Sequence, residues 1–106
     1  MDIMGMMKKA QAVQAKLQEA QEELARIEVQ GASGGGMVSI TMTAKGDLKA
    51  VAIDPSLLTP SDKEMVEDLI VAAFSDAKAK AERTAAEKLL AVTADLPLPP
   101  GLKLPI

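Results

Sequence analysis

The first 27 residues carry a repeat that predicts one long amphipathic helix. Apolar residues recur at alternating steps of three and four positions, which is the spacing of a heptad repeat. We call the following positions the heptad seam: Ile3, Met6, Ala10, Val13, Leu17, Ala20, Leu24 and Ile27. A helix over residues 2–27 would be about 39 Å long at about 1.5 Å per residue. A seam of this length needs an equally long partner to cover it.

The middle of the chain has the alternating pattern of antiparallel strands. In residues 37–44, Val38, Ile40, Met42 and Ala44 alternate with serine and threonine, which predicts a strand with one buried face. Residues 45–47, Lys-Gly-Asp, predict a hairpin turn, and residues 48–53 predict a second strand. A weaker strand is predicted at residues 27–30. Residues 28–53 are therefore expected to form a three-stranded antiparallel meander.

A second helix is predicted over residues 60–93. Ser61 and Glu64 have the spacing of a capping box, in which each side chain bonds to the other residue's backbone N–H. The apolar stripe of this helix consists of Val66, Leu69, Ile70, Ala73, Ala77 and Ala81. Residues 94–106 form an apolar tail whose four prolines favour an extended path, and we expect this tail to dock on the protein. The pattern predicts the α+β class in a single domain over residues 1–106.

The composition of the core predicts a dimer. The chain has 106 residues, and Phe74 is its one aromatic residue, although 48% of its residues are hydrophobic. Aromatic side chains supply the largest burial per residue, so the core of a single chain is thin. A three-stranded sheet also leaves two edges and more apolar surface than one chain can cover. A second copy of the chain would cover both.

The absence of cysteine and histidine limits the chemistry of the chain. Neither a disulfide nor a thiolate nucleophile is possible, and the usual general base and zinc ligand is missing. We therefore expect no catalytic residue, no metal site, no cofactor and no small-molecule substrate. The acids in residues 54–68 fit the start of a helix better than a cation site, because carboxylates there interact favourably with the helix dipole. They are Asp54, Asp62, Glu64, Glu67 and Asp68.

Two further segments have ordinary interpretations. The glycine-rich residues 31–36 lack the Lys-Ser/Thr ending of a phosphate-binding loop, so a hairpin turn is the favoured interpretation. The N-terminus has no secretion signal, and the longest apolar run is too short to span a bilayer. We therefore expect a cytoplasmic protein with no membrane partner.

Several motifs in order resemble the YbaB/EbfC family of nucleoid-associated DNA-binding proteins. The motifs are MMKKAQ at residues 6–11, G-x-x-G-x-G-x-V at 31–38, V-x-IDPSLL at 51–58, DKEM-x-EDL at 62–69, AAF-x-DA at 72–77 and LPPG at 98–101. The resemblance covers almost the whole chain. It implies a homodimer in which the sheets join and the long helices project like tweezers. It also implies non-catalytic DNA binding in bacterial chromosome organisation and gene regulation, with a location at the nucleoid.

Basic residues on the two helices are the candidates for contact with DNA phosphates. They are Lys8, Lys9, Lys16, Lys78, Lys80, Arg83 and Lys88. Local ion pairs at a four-residue spacing, Asp76 with Lys80 and Arg83 with Glu87, are the competing interpretation for part of this set. Single-strand binders stack bases on aromatic side chains, which this chain almost lacks, so double-stranded DNA is the predicted ligand.

The overall charge keeps a second function open. The net charge is −3 and the isoelectric point is near 4.9, whereas nucleic-acid-binding domains are usually basic. The alternative is a protein-interaction module that assists recombination or replication proteins and has weak or no affinity for DNA. A continuous stripe of unpaired cations would favour DNA, and a mosaic of neutralised charges would favour the interaction module.

Overall fold

The computed structural model describes residues 2–94. Its main elements are α1 (Ile3–Leu24), β1 (Glu28–Ser33), β2 (Val38–Thr43), β3 (Leu48–Ile53) and α2 (Lys63–Ala94), with short 3-10 turns at Gly34–Gly36, Pro55–Leu57 and Pro60–Asp62. The predicted α+β order of helix, three-stranded antiparallel meander and helix is confirmed. The predicted proline-rich tail lies outside the described residues from position 95 onward, and Ala94 still belongs to α2.

The first helix begins close to the predicted position but ends three residues early. The carboxylate of Asp2 accepts a hydrogen bond from the N–H of Gly5 at 3.0 Å and caps the helix. At the other end, the N–H of Ile27 still donates to the carbonyl of Glu23 at 3.1 Å, but its own carbonyl accepts from Ala44 N–H at 2.8 Å. Ile27 therefore joins the sheet, and the prediction of helix up to this residue is wrong.

The three strands pair in the order β1-β2-β3, and one face of the sheet is apolar. Ile40 stands opposite Gly31 on one side and Val51 on the other, so these three residues share that face. Val38, Ile40 and Met42 are fully buried there, as their alternation predicts. The predicted turn between β2 and β3 is confirmed, with Gly46 at a φ of 107°.

Gly31 lies inside β1, which corrects the prediction that residues 31–36 are all turn. A Cβ at Gly31 would lie 2.2 Å from the backbone nitrogen of Ala77 and 2.3 Å from the carbonyl oxygen of Ala73. The strand and α2 thus approach each other backbone to backbone, and only glycine fits between them. The turn itself is limited to Gly34–Gly36, which have positive φ angles of 60°, 69° and 95°.

The second helix covers β1 and β2 with the predicted stripe. Ala73, Ala77 and Ala81 are buried, and the larger stripe residues Val66, Leu69 and Ile70 pack beside them. The start of the helix differs from the prediction. Pro60–Asp62 forms a 3-10 turn after Thr59, and the hydroxyl of Ser61 lies 3.2 Å from the Thr59 hydroxyl. Among the hydrogen bonds of residues 2–94, none joins Ser61 to Glu64, so the predicted capping box does not form.

The heptad seam is only half covered within one chain. Ala20 and Leu24 are buried where α1 packs against α2, whereas Ile3 is 67% exposed and Met6 61% exposed. The radius of gyration is 19.6 Å, compared with about 13 Å for a compact domain of this length. A single chain therefore leaves the N-terminal half of α1 projecting away from the sheet.

Neither helix is apolar enough over a sufficient length to cross a bilayer.

Candidate nucleic-acid interface

The N-terminal arm, defined as residues 3–18 of α1, is the most basic part of the molecule. It contains Lys8, Lys9 and Lys16 and no acidic residue. All three lysines are exposed, and none makes an ion pair with a described residue. Lys9 and Lys16 are two helical turns apart and share a face of the helix. Three positive charges without an ion-pair partner among the described residues therefore lie along about 12 Å of helix.

Lys88 approaches the base of this arm from α2. Its ammonium forms an ion pair with the carboxylate of Glu23 on α1. The hydrogen bond from Lys88, together with its positive charge, holds the pKa of Glu23 below its usual range. Lys16 and Lys88 line the same groove between the helices, as do Ala91 and Val92. The structure thus brings these two predicted site residues together, but Lys88 is occupied in joining the helices.

Lys80 is engaged at the free edge of β1. Its ammonium donates to the carbonyl oxygen of Gln30 at 2.9 Å and pairs with the carboxylate of Asp76 at 3.2 Å. The same carboxylate accepts from Ala32 N–H at 3.0 Å. This backbone hydrogen bond and the neighbouring Lys80 lower the pKa of Asp76. The predicted pair Asp76–Lys80 is confirmed, and together the two side chains occupy backbone groups that another strand would need for pairing.

The remaining predicted cations on α2 lie on opposite flanks of that helix. Lys78 borders a groove with Phe74 and Lys45, beside the turn between β2 and β3. Arg83 is exposed on the side of α2 that carries Asp76, and its positive charge contributes to the lowered pKa of that carboxylate. Within residues 2–94 the predicted pair of Arg83 with Glu87 does not form. The α2 cations are therefore not one stripe. The sequence does not identify Lys45 as a candidate for phosphate contact, because its position indicates only a turn.

Three of the five acids at residues 54–68 have local structural partners. Asp54 accepts a hydrogen bond from Ser56 N–H at 2.9 Å, which lowers its pKa. Asp62 accepts from the Thr59 hydroxyl at 2.9 Å, and Glu67 pairs with Lys63 at 3.0 Å. Among residues 2–94, no group of three acidic side chains is arranged to hold a metal ion. Negative charge is thus concentrated where the second helix begins, and unpaired positive charge on the N-terminal arm.

Known proteins resemble this chain over nearly its full length. Residues 1–96 match the model of the YbaB/EbfC DNA-binding family. A nucleoid-associated protein of Methylocella silvestris is 54% identical over 104 residues, which cover 98% of this chain and 97% of the relative. A nucleoid-associated protein of Bordetella avium is 56% identical over 101 residues, or 95% of this chain and 93% of the relative. The crystal structure of an uncharacterized protein from Helicobacter pylori matches with a TM-score of 0.74 at 28% identity, covering 89% of this chain and 97% of that one.

Proposed function

This chain belongs to the YbaB/EbfC DNA-binding family, and we propose that it is a nucleoid-associated protein that binds double-stranded DNA without catalysing a reaction. The proposed location is the nucleoid in the bacterial cytoplasm, where the protein contributes to chromosome organisation and gene regulation. The names of its relatives in Methylocella silvestris and Bordetella avium support this proposal over the alternative of a module for recombination or replication proteins. It needs no cofactor.

The positive charge of the N-terminal arm is the main support for the proposed DNA binding. A net charge of −3 opposes DNA binding by the molecule as a whole, so affinity must come from cations that no local acid neutralises. Lys8 and Lys9 meet that requirement, because the arm has no acid and these lysines have no described ion-pair partner. Lys16 also has no described ion-pair partner, but it lines the groove with Glu19 and Glu23 and its charge contributes to the lowered pKa of Glu23. Ammonium groups act on phosphates as point charges, so the binding we propose is tolerant of DNA sequence.

The other predicted site residues have different proposed roles. Lys80 and Lys88 are held by Asp76 and Glu23, so we assign them to the stability of the fold. Lys78 and Arg83 are exposed on α2 and are secondary candidates for phosphate contact. The division predicts that only the unpaired cations change the salt dependence of DNA binding when they are removed.

A homodimer is part of the same proposal, and one sheet edge is suited to it. The Asp76–Lys80 pair occupies the edge of β1, whereas β3 at the opposite edge has no strand beyond it among the described residues. Leu48 and Val51 of β3 are 54% and 43% exposed, because α2 lies over the other two strands. A second copy placed here would cover this apolar surface and double the number of lysines available to one duplex.

The salt dependence of duplex binding tests the DNA interface. The variant Lys9→Ala with Lys16→Ala removes four cations from a dimer, and each phosphate contact contributes about 0.9 to the slope of log K against log salt. If all four contact phosphate, the slope flattens by about 3–4 units. The charge-matched control, Lys49→Ala with Lys63→Ala, removes the same number of cations away from the arm and should leave the slope nearly unchanged.

Fluorescence anisotropy with a labelled duplex of mixed sequence, titrated at several salt concentrations, measures both slopes. Equal losses in the two variants would refute the assignment of the interface to the arm. Absence of binding by the parent protein at low salt would refute DNA binding itself and favour the interaction module.

Sedimentation at micromolar concentration tests the dimer. The parent protein should sediment with twice the mass of one chain. Val51→Asp places a charge in the proposed contact and should shift the mass towards one chain, whereas Leu90→Asp, at an exposed site near the end of α2, should not. A folded parent monomer at this concentration would contradict the dimer. An unchanged dimer in the Val51 variant would contradict the placement of the contact on β3.

A further inference from the structure

The exposed half of the heptad seam lies close to the point where the described chain ends. Ile3, Met6 and Ala10 are exposed, although the same seam is buried at Ala20 and Leu24. A continuous apolar seam that is covered at one end and open at the other is an unfinished helix interface.

The direction of α2 determines where its following residues begin. Lys88 pairs with Glu23, and further along α2 the residues Ala91 and Val92 line the groove with Lys16 and Ala20. Residue numbers thus increase along α2 as they decrease along α1, so the two helices run antiparallel. Ala94 is the last described residue, so α2 ends beside the arm at the point where the seam opens.

The segment beyond Ala94 has the length and composition to cover this surface. From Lys16 to Ile3 is about 20 Å along a helix, and 12 residues in an extended polyproline path reach about 37 Å. Its large apolar residues are Leu96, Leu98, Leu102, Leu104 and Ile106, and its only charges are Asp95 and Lys103. Prolines also restrict the undocked chain, which lowers the entropy lost when it docks.

We propose that residues 95–106 dock on the seam of the N-terminal arm of the same chain and cover Ile3, Met6, Ala10 and Val13. Because the tail is attached next to the seam, its effective concentration there is higher than that of a segment from a second copy of the chain. The arm of a second copy would instead bring three more lysines without an acid against the first three, and this repulsion disfavours it. The docked tail leaves Lys8 and Lys9 free, since neither belongs to the seam.

Crosslinking tests the contact directly, because the chain contains no cysteine. An extended tail places Leu102 about 25 Å beyond Ala94, beside the N-terminal end of the seam. In the full-length variant Ile3→Cys with Leu102→Cys, a short bismaleimide should therefore produce an intrachain crosslink that migrates with the monomer on a denaturing gel. The control pairs Leu102→Cys with Ala50→Cys on β3, away from the arm. A yield no higher than that of the control would overturn the proposal. Crosslinks formed only between chains would also overturn it and assign the seam to a second copy.

Methionine oxidation provides an independent measurement. Met6 lies on the seam, and Met65 at the start of α2 is an internal reference outside it. If the tail is docked about nine-tenths of the time, peroxide should oxidise Met6 about tenfold more slowly than in the full-length variant Leu102→Ser with Leu104→Ser. The Met65 rate should be equal in both proteins. Equal Met6 rates in the two proteins would overturn the proposal, and circular dichroism confirms that both are folded.

Discussion

The substitution Gly31→Ala tests the close packing that positions α2 on the sheet. The added Cβ would lie 2.2 Å from the Ala77 nitrogen and 2.3 Å from the Ala73 oxygen, whereas ordinary contacts begin at 3.4 Å. Both obstacles are backbone atoms, so no side-chain rotation relieves the clash, and α2 must move by about 1 Å. Overpacking costs about 1–3 kcal/mol and occasionally more. We place this substitution at about 3 kcal/mol, a large part of a typical folding free energy of about 5–15 kcal/mol.

Urea unfolding at a fixed protein concentration measures this loss, and the melting temperature should fall by about 10 °C or more. The matched control is Gly35→Ala, where nothing lies within 4 Å of the added Cβ and the φ of 69° costs about 1 kcal/mol. Movement of α2 should also weaken the contacts of Asp76 with Ala32 and of Lys80 with Gln30. The pKa of Asp76, followed by NMR, should therefore rise towards its ordinary value of 3.8 in the Gly31 variant. A Gly31 variant no less stable than the Gly35 variant would refute the packing argument.

Further predictions concern ion pairs and metals. The pKa of Asp76 is lowered by folding, so its contribution to stability is present above its ordinary value of 3.8 and is lost as the pH falls through the lower folded value. Asp76→Asn should therefore reduce the drop in melting temperature between pH 7 and strongly acidic solution, and an unchanged drop would contradict this role. Lys88→Met should lower the melting temperature at pH 7 because it breaks the pair with Glu23, whereas Lys8→Met should not; equal effects would mean that the pair contributes nothing. A chelator should leave the melting temperature unchanged, and a fall would indicate that the acids of residues 54–68 bind a metal.

The candidate interface was only partly predictable from the sequence. The absence of acids from residues 3–18 is visible in the sequence and identifies the arm as the basic part of the chain. The Asp76–Lys80 pair is also readable, since residues four apart on a helix are neighbours. The Lys88–Glu23 pair joins two helices distant in sequence, so only the packing of α1 against α2 shows that this cation is engaged. Lys45 reaches the groove beside Lys78 for the same reason.

Local periodicity determined the elements and the faces they bury. The alternation of Val38, Ile40 and Met42 specifies a buried strand face, because successive side chains in a strand point to opposite sides. The stripe containing Ala73 and Ala77 likewise specifies the buried face of α2. These features depend on neighbours along the chain and therefore need no tertiary information.

Tertiary structure decided the features that depend on residues far apart in sequence. Glycine permits both a turn and a close approach, and the distances from Gly31 to α2 distinguish the two. The helix pattern continues to Ile27, but a hydrogen bond from Ala44 draws that residue into the sheet. The sequence determined that the heptad seam exists, whereas the packing of α2 decided which half of it one chain buries, because burial requires a partner surface whose position no local pattern encodes.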